Sequence, residues 1–67
     1  MENHLIDRLC IRVDSPTLKL LSHQVIEGQY LGISDDQAVH APITGHVSRI
    51  TLIPSEQQTI ITLQTVQ

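Results

Sequence analysis

Aromatic residues are almost missing from this sequence. Phe and Trp are absent, and Tyr30 is the single aromatic residue among 67. The hydrophobic core must therefore be built from aliphatic side chains, and Ile, Leu, Val and Thr are frequent. Because Ile, Val and Thr are β-branched, this composition favours strands over helices. A chain of this length forms one domain and buries only about 60% of its unfolded surface, which leaves a small stability margin.

Basic residues are also scarce. Four Lys and Arg residues stand against seven Asp and Glu residues, and the formal net charge is −3. So few basic residues cannot form the cationic surface that binds a nucleic-acid backbone, and the lack of aromatic residues leaves no side chains on which single-stranded bases could stack. The composition therefore argues against a nucleic-acid-binding protein. No apolar run approaches the ~20 residues that a membrane-spanning helix needs. Residues 1–4 show neither the basic nor the apolar region of a signal peptide, so we expect a cytoplasmic protein.

Cysteine occurs once, as Cys10. A single cysteine cannot form an internal disulfide, and it cannot supply the four thiolates of an iron–sulfur cluster. Arg8 and Arg12 are the only neighbours in sequence that could make this thiol reactive. The sequence therefore predicts that Cys10 packs against a neighbouring side chain.

Alternation of apolar and polar residues predicts about seven short strands, and no stretch has helical period. The apolar residues 17–21 could form one of these strands; the alternative there is a helix over residues 18–26, which Gly28 and the β-branched pair Val25-Ile26 disfavour. The clearest run is residues 8–14, which Pro16 ends because proline has no N–H for the strand ladder. In residues 47–53, Val47 has the opposite parity to Ile50 and Leu52, which predicts a β-bulge or a strong bend near Ser48 and Arg49. The predicted organisation is a flexible segment over residues 1–7 and a single domain over residues 8–67.

A weak internal repeat is present in the middle of the chain. Residues 25–31 and 39–47 each place a glycine, Gly28 or Gly45, between aliphatic residues. Two such units could pack about a pseudo-twofold axis and close the sheet on itself, which would remove exposed sheet edges. Gly28, Pro42 and Gly45 are predicted to be structural turn residues, and a positive φ at Gly45 would make its replacement by valine costly.

These segments resemble the biotinyl/lipoyl-like barrel-sandwich hybrid (hammerhead) fold. Within that fold, the chain most resembles the N-terminal module of the C subunit of Rnf-type electron-transport complexes. The resemblance covers roughly residues 8–66, and its motifs are Gly28-Gln29-x-Leu31, Val39-His40-Ala41-Pro42-x-x-Gly45-x-Val47 and the opening run Arg8-Leu9-Cys10-Ile11. It implies an all-β barrel-sandwich hybrid with pseudo-twofold halves.

The departures from the family decide which function the resemblance implies. Lipoyl and biotinyl carriers present a modifiable lysine at a hairpin tip, where this chain has Asp35-Asp36-Gln37, and its only lysine is Lys19. The resemblance therefore implies a non-catalytic module that scaffolds or docks to protein partners of a redox complex, at the cytoplasmic face of the inner membrane if that complex lies there. The alternative is a lipoyl or biotinyl carrier domain. Iron–sulfur and flavin groups would belong to other regions of the family.

Metal binding and catalysis are weakly indicated. His40 and His46 flank the Ala-Pro-x-x-Gly segment and are candidate metal ligands, but two imidazoles make a poor zinc site without a third ligand. A stoichiometric rise in melting temperature with zinc would favour this alternative. Asp35 and Asp36 fit a turn better than an acid–base pair. We therefore expect no bound cofactor and no enzymatic activity, and the sequence leaves the oligomeric state open.

Overall fold

The computed structural model describes residues 8–65, and the predicted flexible segment 1–7 lies outside them. Six strands and two short 3₁₀ turns make up the described chain, which contains no α-helix. The strands are β1 (Arg8–Asp14), β2 (Gln24–Val25), β3 (Tyr30–Ser34), β4 (Gln37–His40), β5 (Gly45–Ile53) and β6 (Gln58–Thr65). The 3₁₀ turns are Ser15–Thr17 and Pro54–Glu56. The predicted all-β class is confirmed.

The strands form two antiparallel sheets. The larger sheet has the order β1-β6-β5-β2, and the smaller sheet is the hairpin β3-β4. The larger sheet curls into a half-barrel, and β3 packs against β1. The core lies between the two sheets and contains Val13, Val25, Leu31, Ala41, Ile61 and Leu63.

Alternation in β1 gives the burial that the sequence predicts. Leu9 and Ile11 are half-buried and Val13 is fully buried, whereas Cys10 and Arg12 on the other face are exposed. The 3₁₀ turn with Pro16 ends the strand, as expected. The predicted β-bulge is also confirmed, because the β5–β6 register shifts between Val47 and Arg49. The bulge places Val47, Ile50 and Leu52 opposite Leu63, Ile61 and Thr59, on the face that carries the core.

The structure has six strands rather than about seven, because residues 17–21 do not form the predicted strand. The Thr17 hydroxyl accepts a hydrogen bond from Ile33 N–H at 2.9 Å and donates one to the Asp14 carbonyl at 2.8 Å. Lys19 N–H donates to the Leu31 carbonyl at 2.9 Å. The side chain of Thr17 thus takes the position beside β3 that a strand backbone would otherwise occupy.

Candidate functional site

The tip of the β3–β4 hairpin is the position where the resemblance would place a carrier lysine. Asp35 and Asp36 connect the two strands, with positive φ values of 53° and 65°. Positive φ at both central residues is the mark of a type I′ turn, whose twist matches that of antiparallel strands. Both carboxylates are exposed. The tip is therefore short, defined in conformation and acidic.

Lys19 lies away from this tip. It follows the first 3₁₀ turn, and its backbone is hydrogen-bonded to Leu31 in the interior of β3. Its side chain is exposed. The Lys19 amine is therefore not at a hairpin tip, where carriers of this fold have their modified lysine.

The two candidate metal ligands lie in different sheets. His40 ends β4 and makes an edge-to-face contact with Tyr30, with ring centroids 5.9 Å apart. His46 lies in β5 of the larger sheet, in register with Gln24 and Gln64. No group of three His, Cys, Asp or Glu side chains in residues 8–65 is arranged to hold a metal ion.

The two repeat units contact each other directly. Gly28 N–H donates to the Ala41 carbonyl, and Ala41 N–H donates to the Gln29 carbonyl, both at 2.8 Å. Val25 pairs with Gly45 at the start of β5. The segments that the sequence identifies as related are therefore joined by reciprocal backbone hydrogen bonds.

The glycines meet different constraints. Gly28 has a φ of +92° in a turn, where a Cβ would meet no other atom within 4 Å. Gly45 is the first residue of β5, and its φ is not positive. A Cβ there would lie 2.1 Å from the Gln64 carbonyl oxygen, so close approach of the backbone, rather than a turn conformation, requires glycine. Pro42 lies in the bend that precedes β5.

Gly32 is a structural residue that the sequence analysis missed. Its φ is +148°, and a Cβ would lie 2.5 Å from Val13 Cγ1 and 2.9 Å from the Thr17 carbonyl oxygen. The β3–β4 register shifts between Tyr30 and Gly32. Gly32 therefore allows β3 to approach β1 closely. Glycine within an alternating strand pattern was the signal that could have identified it.

The outer face of the larger sheet carries three of the four cationic side chains. Arg8, Arg12 and Arg49 lie there, and Arg12 pairs with Glu56 at 3.4 Å. Arg8 and Arg49 line a groove of about 410 Å³, and none of the residues 8–65 that form its wall has a carboxylate. Such a groove can bind the carboxylate groups of a partner.

Cys10 faces the same groove and is exposed. Its Sγ lies 3.7 Å from Thr62 Oγ1 on the adjacent strand. This contact agrees with the expectation that the thiol packs against a neighbouring side chain.

The inner face of β5 is only partly covered. We use the name open strip for residues 48–53, whose side chains Ile50 and Leu52 face the core side but are 48% and 65% exposed. The neighbouring strand β2 pairs with β5 only at Gly45 and His46, so residues 48–53 have no strand on their outer side within the described chain. The sheet is thus curled but not closed. The signal in the sequence was the uncharged run Ile50-Thr51-Leu52-Ile53.

Two apolar hollows flank the open strip. One, of about 240 Å³, is lined by Leu20, Val47 and Ile50 among others. The other, of about 300 Å³, lies at Leu52 and Pro54, and its exposed wall is mostly apolar. The open strip therefore has both unpaired backbone groups and apolar side chains available for contact.

In residues 8–65, no helix is long and apolar enough to cross a membrane. Comparisons of the chain with family models, with curated proteins and with solved structures find no match.

Proposed function

We propose that the chain is a non-catalytic docking module with the barrel-sandwich hybrid fold, of the kind found in the C subunit of Rnf-type electron-transport complexes. The observation that carries this proposal is the acidic type I′ tip, Asp35 and Asp36, at the place where a carrier of this fold has its lysine. Two carboxylates on a defined turn can bind a cationic surface of a protein partner, but they cannot carry an acyl or carboxyl group as an amide.

The contact between the two repeat units supports the finer fold assignment. Reciprocal hydrogen bonds join Gly28 and Gln29 of the first unit to Ala41 of the second. Such a contact is expected when two related half-units wrap about each other in a barrel-sandwich hybrid. The curled larger sheet agrees with the same architecture.

The exposure of the ionisable groups supports a non-catalytic role. Thr59 is the single buried polar or charged residue in the described chain. Catalytic acids, bases and nucleophiles commonly have pKa values that burial and close charges perturb. In residues 8–65 the carboxylates, the imidazoles and the thiol are exposed or half-buried. They suit recognition of a partner surface in the cytoplasm.

Affinity capture from lysate of the source cell tests the docking proposal. The wild-type chain is expected to enrich iron–sulfur or flavin subunits of an electron-transport complex, identified by mass spectrometry. Replacement of Asp35 and Asp36 by asparagine is expected to reduce that enrichment. The matched control is Glu27→Gln, which removes another exposed carboxylate, away from the tip. Equal loss in the control, or no enrichment of redox subunits by the wild type, would overturn the proposal.

The alternative function is a lipoyl or biotinyl carrier, with Lys19 as the modified residue. Intact-mass measurement of the chain purified from its native cell separates the two functions. We expect an unmodified mass. A lipoyl or biotinyl adduct that disappears in Lys19→Arg would establish the carrier function instead.

A further inference from the structure

We infer that the open strip is a self-association site, where residues 48–53 pair with the same residues of a second copy of this chain. This interface goes beyond the proposed docking function, which rests on the acidic tip of the other sheet. The occupant must be an extended segment, because the strip offers a strand edge with which no other strand of residues 8–65 pairs. It must also be apolar on one face, because Ile50 and Leu52 are exposed there.

The register of the pairing follows from the residues of the strip. Residues that lie directly opposite each other in antiparallel strands point to the same face of the sheet. In a twofold dimer, one residue of the strip must therefore lie opposite the same residue of the second copy, with the axis between them. An axis at Ile50 would pair the bulged residue Ser48 with Leu52, and an axis at Leu52 would pair Ile50 with Pro54. An axis at Thr51 avoids pairing Leu52 with the bulge and Ile50 with the proline. It places Ile50 of each copy opposite Leu52 of the other, with Thr51 opposite itself.

The length of the free edge fits this register. The edge is bounded on one side by β2 and by the hydrogen bond from Val47 N–H to the His23 carbonyl, at 2.7 Å. On the other side β5 ends at Ile53, where the 3₁₀ turn begins. An axis at Thr51 pairs residues 49–53 of the two copies, which the free stretch of residues 48–53 accommodates. The two sheets then continue as one, in the order β1-β6-β5-β5-β6-β1.

The charges of the strip are compatible with a second copy. Each chain has a net charge of −3, but Ile50-Thr51-Leu52-Ile53 is uncharged, so no like charges meet across the axis. Arg49 of one copy lies opposite Ile53 of the other on the outer face of the sheet. The turn that follows Ile53 carries Glu56, which lies on the same face because it contacts Arg12. Each copy thus brings a cation toward an acidic turn of its partner.

Strands at the edges of natural sheets are usually protected against such pairing. Charged side chains, proline or a bulge within the exposed stretch prevent contact with a second edge. Here the bulge lies at Ser48, the charged side chain is Arg49 and the proline is Pro54, so all three protective features flank the uncharged run Ile50-Thr51-Leu52-Ile53. Residues 50–53 are therefore a single uncharged stretch that can pair with its own copy, as an isologous twofold interface requires.

The available area predicts a weak dimer. A standard interface buries about 800 Å² per partner, roughly a sixth of the 4920 Å² surface of this chain. Five residue pairs, with Ile50 and Leu52 of each copy on the apolar face, bury less than that. We expect a dissociation constant of about 10 to 100 μM, in the range of small and transient interfaces.

Sedimentation equilibrium of the full chain tests the interface. The wild type is expected to shift from 7.5 kDa toward twice that mass as its concentration rises through the expected dissociation constant. Leu52→Lys is expected to weaken association at least about tenfold, because two ammonium groups would enter the apolar face. The matched control is Ile26→Lys, since Ile26 is 68% exposed and Leu52 is 65% exposed. The control is expected to associate like the wild type.

A disulfide at the axis supplies a second readout that reports the register. In a Cys10→Ser background, Thr51→Cys is expected to form an interchain disulfide on mild oxidation, because directly opposite Cβ atoms lie about 4.5 to 5.5 Å apart. Glu27→Cys, an exposed site far from the strip in sequence, is expected to cross-link much more slowly. Circular dichroism checks that each variant keeps its β structure.

Several results would overturn the interface. They are a wild type that stays monomeric at about ten times the expected dissociation constant, a dimer that persists in Leu52→Lys, and equal weakening in Ile26→Lys. Association that appears only after deletion of residues 1–7 would show that the chain covers its own edge, and would also overturn it. None of these results tests the acidic tip, so failure of the dimer interface would leave the proposed docking function unaffected.

Discussion

Ser15 and Thr59 join their hydroxyl groups in a hydrogen bond of 2.8 Å, which ties the end of β1 to the start of β6. Thr59 is 1% exposed, whereas Ser15 is half-buried. The two hydroxyls therefore differ in their access to water. When the bond is broken, the cost depends on which hydroxyl is left behind.

We predict that Ser15→Ala destabilises the protein more than Thr59→Val does. Ser15→Ala leaves the buried Thr59 hydroxyl without a partner, which costs about 1 to 3 kcal/mol. Thr59→Val removes the buried hydroxyl and leaves Ser15 able to reach water, at a cost of about 1 kcal/mol or less. Urea unfolding of both single variants and the double variant measures the difference. A Thr59→Val variant that is the less stable of the two would contradict the prediction.

Thr17 makes a second prediction about a hydroxyl group. Its oxygen accepts from Ile33 N–H and donates to the Asp14 carbonyl. Thr17→Val keeps the shape but leaves the Ile33 N–H unpaired, so we expect a loss of about 1 to 3 kcal/mol in the free energy of unfolding. Thr17→Ser keeps the hydroxyl and is expected to lose less. Amide hydrogen exchange at Ile33 should accelerate in the valine variant only, and equal exchange in both variants would contradict this role.

Gly45 and Gly28 provide a matched pair of glycine substitutions. Gly45→Ala would place a Cβ 2.1 Å from backbone oxygen of Gln64, so β5 and β6 must separate locally, and we expect a loss of about 2 to 4 kcal/mol. Gly28→Ala meets no atom and is strained only by its positive φ, at a cost of about 1 to 2 kcal/mol. Thermal melts of both variants compare the two costs. A Gly45→Ala protein as stable as Gly28→Ala would remove the close-approach explanation.

Local sequence patterns predicted the parts of the fold that depend on neighbouring residues. The alternation of Leu9, Ile11 and Val13 located β1, and the parity conflict between Val47 and Ile50 located the bulge. The acidic tip was predicted from turn chemistry for the same reason. Each of these features is decided within a few residues of the chain.

Features that depend on distant residues could not be predicted in this way. The run 17–21 has strand composition, but the Thr17 hydroxyl reaches Ile33, 16 residues away, and replaces a strand ladder there. Ile50 and Leu52 were predicted to share one face, and they do. Their exposure follows from the small sheet packing against β1, which leaves the inner face of β5 partly uncovered. Periodicity shows which side of a strand is apolar, but not whether another element covers it.

The last prediction concerns the conformation of the acidic tip. Asp35 and Asp36 both adopt positive φ, and adjacent carboxylates repel each other. Replacement of the pair by Asn-Gly, the residues that a type I′ turn prefers, is expected to stabilise the protein by about 0.5 to 1 kcal/mol and to raise its melting temperature. Replacement by Ala-Ala removes the same charges without supplying a residue that favours positive φ, so it is expected to destabilise. If both variants gained stability equally, charge repulsion rather than backbone conformation would dominate at the tip.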